Sequence, residues 1–398
     1  MVRGIFIAGS EMNAGKTTLS LGMVSWMSEN LPGGASFMKA LGQKTTLVDG
    51  ASVGEDSFLV NTSLGLDSSL EDAAPFAMSP GASRQFLIEG RPKNIDKRIA
   101  ASFGRLSKKS DIVVVEGTGH PGVGSVFGLS NAGVARLLDI PVLMVLDAGI
   151  GRTIDRFTLC SSLFHDRSIP LLGVVINRVR RDKVEGLKKF LDPWFHAKGI
   201  RVFGYIPYVS SIAKPSISSL GMKLRAETLV SWKSDPDAPV EGFITGFGSS
   251  SEILVDVIDH PRRALLLSAS RIDVIDAVVS RRLSGNIESG PGALILCGPD
   301  SGLLSHVEEA CRRLEIPLYR TEAPVDISAS RLQRHIFKVT AGESLKISEI
   351  VRTVRENVDM SGILDVLSSY RAPGPAKTSA FVRAGRWLSS RLLGKSEV

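Results

Sequence analysis

The segment Gly9-Ser10-Glu11-Met12-Asn13-Ala14-Gly15-Lys16-Thr17-Thr18 carries the residue types that hold polyphosphate. Glycines and small residues let backbone N–H groups turn toward phosphate oxygens at a helix N-terminus; a lysine adds a point charge, and the hydroxyl beside it suits Mg²⁺. On that reading Gly9, Asn13, Ala14, Gly15, Lys16, Thr17 and Thr18 contact a nucleotide, Lys16 brings charge to its terminal phosphates, and Thr17 ligates the metal. The spacing departs from the common G-x-x-x-x-G-K-[ST]. Counting back from Gly15, the first glycine position falls on Ser10, and Gly9 lies one residue too far. Glu116 follows the apolar run Ile112 to Val115, where an unpaired carboxylate is costly to bury, so a bound metal is its expected partner. Lys39 closes a second strand-like run, and strand-end residues of a parallel sheet face the ligand crevice, which makes it a catalytic candidate with Lys16. The loop Gly117-Thr118-Gly119-His120 is a candidate substrate contact; a loop histidine with no visible partner also reads as simply solvated.

These residues need strands that end at one edge. Val2 to Ala8, Ala35 to Met38, Ile112 to Val115, Pro141 to Leu146 and Leu171 to Ile176 are apolar runs that alternate with helix-length amphipathic segments. That alternation predicts an α/β fold, a doubly wound and mostly parallel sheet covered on both faces. A second, smaller α/β domain follows from the runs Gly242 to Gly246, Ala264 to Ser268, Ala293 to Cys297 and Pro317 to Tyr319. The Pro-bearing stretch Lys233 to Pro239 reads as a linker, giving domains at 1–235 and 240–368, then a tail at 371–398. The 398 residues suit two or three domains.

The net charge of +7 is concentrated in that tail, where Arg371, Lys377, Arg383, Arg386, Arg391 and Lys395 face only Glu397. The remainder is nearly neutral, so no nucleic-acid partner is expected. Phe381, Ala384, Leu388 and Leu392 recur at helical spacing in the tail, a basic amphipathic pattern open to a lipid surface, a protein partner or the chain's own domain. Another basic cluster, Arg178, Arg180, Arg181, Lys183, Lys188 and Lys189, reads as the coat of a solvated helix. Cys160, Cys297 and Cys311 are widely spaced, and the N-terminus shows no secretory pattern, so a cytoplasmic location is expected.

The variant loop G-x-x-x-x-x-G-K-T resembles that of dethiobiotin synthetase and its ATP-using relatives. By this resemblance Lys39 takes the place of a phosphate-facing lysine, although Ala40 stands where those relatives carry proline. Asp56 and Glu116 correspond to metal-binding acids, Asn177 to a residue on the adenine edge, and Pro207 to the same base pocket. The run from Glu116 to Asn131 and Gly149-Ile-Gly-Arg-Thr-Ile-Asp155 resemble more closely the N-terminal region of long phosphate acetyltransferases and stand-alone proteins with a DRTGG domain. Leu267 to Asp273 occupies the place of that domain's signature in degenerate form.

The resemblance implies ATP and Mg²⁺ as cofactors. It leaves two functions open: an ATPase or ligase-like enzyme in which a substrate carboxylate or carbamate attacks the γ phosphate, or a nucleotide-sensing regulatory module. The expected partners are nucleotide and an unidentified small molecule, with the chain acting as a homodimer.

Overall fold

The computed structural model describes residues 3–48, 51–78, 81–90, 94–231, 238–283, 291–299, 304–335 and 337–370. The chain divides into two compact units, Met1–Tyr208 with the segment from Val351 onward, and Val209–Ile350.

The first unit is built on a six-stranded parallel sheet. Its strands are β1 (Gly4–Gly9), β2 (Ala35–Lys39), β5 (Ile112–Glu116), β6 (Val142–Asp147), β7 (Leu171–Val179) and β8 (Arg201–Pro207), with β3 (Thr45–Val48) and β4 (Ala51–Gly54) forming a separate hairpin. The order is β2-β5-β1-β6-β7-β8, and every pairing is parallel. β1, β2, β5 and β6 are buried along their whole length, as a sheet covered on both faces requires. β1 runs between β5 and β6, and the loop leaving it opens helix α1 (Lys16–Asn30) at the carboxyl edge. That edge is where open α/β sheets bind ligands.

The second unit has its own five-stranded sheet, β10-β11-β12-β13-β9. Here β9 (Glu227–Val230) is antiparallel to β13 (Leu318–Thr321), while β10 (Phe243–Thr245), β11 (Ala264–Ser268) and β12 (Ala293–Cys297) run parallel. Separate apolar cores line its two faces, one around Leu265, Val257 and Leu318, the other around Leu266, Leu220 and Tyr319.

The division therefore falls at Tyr208 and Val209, not near 235. Residues 227–230 belong with the second sheet through β13, and the segment from Val351 packs back on the first unit. Val358 bridges Gly204 of β8, and Arg355 donates to Ser25 of α1 at 2.8 Å. The close approach is built into the sequence: a Cβ at Gly22 would lie 2.4 Å from Val354, and one at Gly204 would lie 2.1 Å from the Asn357 carbonyl. Of the expected linker, residues 233–237 lie outside the described residues, as does the tail at 371–398 with its amphipathic pattern. Among the described residues no helix is long and apolar enough to cross a membrane.

Candidate nucleotide site

Helix α1 begins directly at Lys16. Its N-cap, Gly15, sits at φ 100°, a left-handed conformation that costs glycine little and other residues more. A Cβ there would also lie 1.8 Å from Asn177 Nδ2, which donates to the Ala14 carbonyl at 2.8 Å. Asn177 of β7 thus pins the loop from the neighbouring strand. The loop is tied a second time where the Ser10 N–H donates to Val145 of β6 at 3.0 Å.

Lys16 is 3% exposed. Its ammonium donates to the carbonyls of Glu11, Met12 and Gly119 at 2.9, 3.1 and 3.0 Å, so its charge is held inside the loop at a point fixed by three oxygens. Thr17, the next helical residue, donates its hydroxyl to Glu116 Oε1 at 3.0 Å.

The β2–β5 register sets Lys39 directly beside Glu116. Adjacent residues on one face of a ladder interact, and here the pair is an ion pair at 2.7 Å. Lys39 also meets Asp56 at 2.9 Å, delivered by the first turn of α2 (Glu55–Leu64), and donates to the Gly117 carbonyl at 3.0 Å. Burial alone would lower the Lys39 pKa; the charges of Asp56 and Glu116 outweigh it and hold the ammonium above its usual range. Glu116 is 1% exposed, and its second oxygen, Oε2, has no hydrogen-bond partner.

An orphaned buried carboxylate oxygen beside a threonine hydroxyl and a second acid fits Mg²⁺, which takes one or two carboxylates and completes its octahedron with water and phosphate oxygens. Among the described residues no group of three or more His, Cys, Asp or Glu is placed to hold a metal, and a Mg²⁺ site of this kind does not need one. Thr17, Asp56 and Glu116 are the residues that would hold it.

The loop after β5 closes over Lys16. Thr118 donates to the Leu41 carbonyl and Gly119 takes φ 59°. Asn131, at the start of the helix Asn131–Leu138, accepts from the Thr118 N–H and donates to the Thr118 and His120 carbonyls at 2.8 Å each. Its positioning role was not read from sequence, although Ser130-Asn131 after a glycine-rich run is a helix-start signal. His120 is exposed, and its Nδ1 accepts from the Gly122 N–H at 3.2 Å. Pro207 pairs with Val179 in the β7–β8 register, which brings it to the same sheet edge as Asn177.

A charge cluster borders the loop on its other side. Glu11 pairs with Arg152 at 2.8 Å and Arg156 at 3.7 Å, while Asp147, at the end of β6, lies 3.4 Å from Arg152 and 3.6 Å from Arg178. Burial, then the shared hydrogen bond with Glu11, pushes the Asp147 carboxyl up to about 6. The same hydrogen bond, helped by both guanidinium groups, holds Glu11 below the usual carboxylate range against its burial.

The expected solvated basic helix is only partly found. Lys188 and Lys189 do lie on the helix Val184–His196, but Arg178 is in β7, Arg180 follows that strand and Arg181 to Lys183 form a short 3₁₀ turn.

A parallel sheet with a lysine-bearing loop between its first strand and first helix defines a P-loop nucleotide-binding domain. Residues 3–216 match the family model described as AAA domain, and the chain belongs to that family. Phosphate acetyltransferase of Haemophilus influenzae is 24% identical over 402 residues, covering 94% of this chain and 54% of that protein. ATP-dependent dethiobiotin synthetase of Clostridium kluyveri is 26% identical over 188 residues, 46% of this chain and 77% of that one. A ParA family ATPase structure from Chlorobium tepidum shares 14% identity with a TM-score of 0.33, over 52% of this chain and 85% of that one. The chain spans about half the length of the first curated relatives it matches.

Proposed function

We propose that the chain is an ATP- and Mg²⁺-dependent P-loop enzyme, an ATPase or a ligase-like enzyme that activates a carboxylate. The observation that carries this reading is the buried Glu116 Oε2 without a partner, set beside Thr17 and the Lys39–Asp56 pair at the mouth of the phosphate loop. A bound Mg²⁺ would supply Lewis-acid charge to the terminal phosphates. Lys16 binds and orients those phosphates, and Lys39 offers a second cation where negative charge builds in phosphoryl transfer. Asn177 and Pro207 border the base, and the loop Gly117 to His120 faces the acceptor. A homodimer and a cytoplasmic setting belong to the same reading.

The test is calorimetry of ATP with and without Mg²⁺. Lys16→Ala should weaken ATP binding about 10- to 100-fold, the worth of a charge-assisted hydrogen bond, roughly 1.5–3 kcal/mol. Equal affinity in both proteins would remove the assignment.

A second reading, a nucleotide-sensing module whose Val209–Ile350 unit is DRTGG-like and regulatory, draws support from that unit's separate sheet and cores. The alignment over 94% of this chain with roughly half of a phosphate acetyltransferase points the same way. Binding of ATP with no turnover against any carboxylate acceptor would favour it.

A further inference from the structure

Beyond Asn177 the chain lines a cavity of about 520 Å³ between the start of the helix Ile150–Asp166 and the helix Val184–His196. Ile150, Leu187 and Phe190 give it an apolar wall, and Arg178, Arg180 and Lys183 give it three cations. Exposed apolar groups beside several cations suit a ligand with an apolar body and more than one negative charge. Ile150 and Phe190 are 42% and 54% exposed, large apolar surfaces left uncovered at the carboxyl edge of the sheet.

The three cations are engaged by the fold to different degrees. Among the described residues Lys183 has no carboxylate within ion-pair distance. Arg180 donates to both carboxylate oxygens of Asp182, two residues away, at 3.1 and 2.9 Å, with both side chains mostly exposed. Arg178 stands at φ 57°, a conformation that strains a residue with a side chain, and its guanidinium reaches Asp147 at 3.6 Å. Gly149 and Gly186 also line it, and nothing lies within 4 Å of a Cβ at the exposed Gly186. The Gly149 cap of the 17-residue helix supplies no capping side chain, so first-turn N–H groups add to the positive field.

We propose that this cavity binds a small molecule with an apolar body and a doubly charged anionic head, the head held by Arg178, Arg180 and Lys183. The ligand's role as acceptor rests on the ATP-dependent enzyme reading above; its binding does not. Two head groups share this chemistry, a phosphate monoester and a dicarboxylate.

The full chain is titrated with phenyl phosphate, benzylsuccinate, phenylacetate and inorganic phosphate by calorimetry. At least one of the two dianions with an aromatic body should bind about tenfold or more tightly than phenylacetate, which carries one charge, and than inorganic phosphate, which lacks the body. Whichever dianion binds identifies the head group. Arg180→Ala with Lys183→Ala should weaken that dianion about tenfold or more, and Gly186→Leu should block it, with ATP affinity unchanged in both variants. Lys16→Ala should lose ATP and keep the dianion, which separates failure of this proposal from failure of the nucleotide reading. No saturable binding of either dianion in the millimolar range, or equal binding in the wild type and the double variant, would overturn it.

Discussion

Removing the Lys39 ammonium strands two acids, Asp56 and Glu116, at a place water barely reaches. Breaking one partner out of a buried pair typically costs about 3–5 kcal/mol, because the remaining charge stays buried and uncompensated. Lys39→Ala should therefore lower stability by about that much in urea unfolding, and added Mg²⁺ should restore more of it than it adds to the wild type, since the freed carboxylates are the expected ligands. Asp147 behaves in the opposite sense. Its folded pKa of about 6 lies above that of an unfolded aspartate, about 3.9, so the native state holds the proton more tightly and stability falls as pH rises through that window. Asp147→Asn, which can still donate to Glu11, should stabilise the protein at pH 7.5 by at most about 3 kcal/mol, less as solvent screens the site, with the gain shrinking through pH 6 and gone near pH 4. Chemical denaturation across that range checks it.

Elements position these residues with little freedom. Gly15→Ala would force a side chain into both a left-handed backbone and the Asn177 amide, so we expect a loss of more than about 1 kcal/mol and a collapse of ATP binding. Thermal unfolding with and without ATP reads both effects. The long buried strands were legible because parallel strands covered on both faces are runs of apolar residues, as in Ile112 to Val115. β8 is not among the strands expected from sequence: Gly204 interrupts its apolar run, and the reason for the glycine is the Asn357 carbonyl, far away in sequence. Lys16, Lys39 and Glu116 were legible as loop and strand-end residues. The ion pair that joins Lys39 to Glu116 was not, because it depends on cross-strand register, and neither was the cavity beside Arg178, because helical spacing says nothing of what stands opposite a strand end.

At the scale of the molecule, the second unit is inserted into the first. The sequence showed two α/β patterns and suggested a cut at a proline-rich stretch, but composition cannot reveal that a late segment returns to an early sheet. A fragment of residues 1–235 would lack Val354 and Val358 from the first unit's surface and carry β9 without its partner β13. We expect it to unfold at lower urea than a version in which 209–350 is replaced by a short linker and 351–370 is kept. Equal midpoints for the two, measured side by side, would show that the returning segment adds nothing.

That return also sets a clock on synthesis. A ribosome adding about 5–20 residues per second makes the Val351 segment on the order of ten seconds after Tyr208 has been joined to the chain. During that interval the P-loop, complete in sequence, sits on a nascent sheet whose β8 edge and α1 flank still await Val358 and Arg355. The outer sheet has all six strands translated before the inserted unit begins, yet its flanking contacts are completed only after the whole inserted sheet has been made.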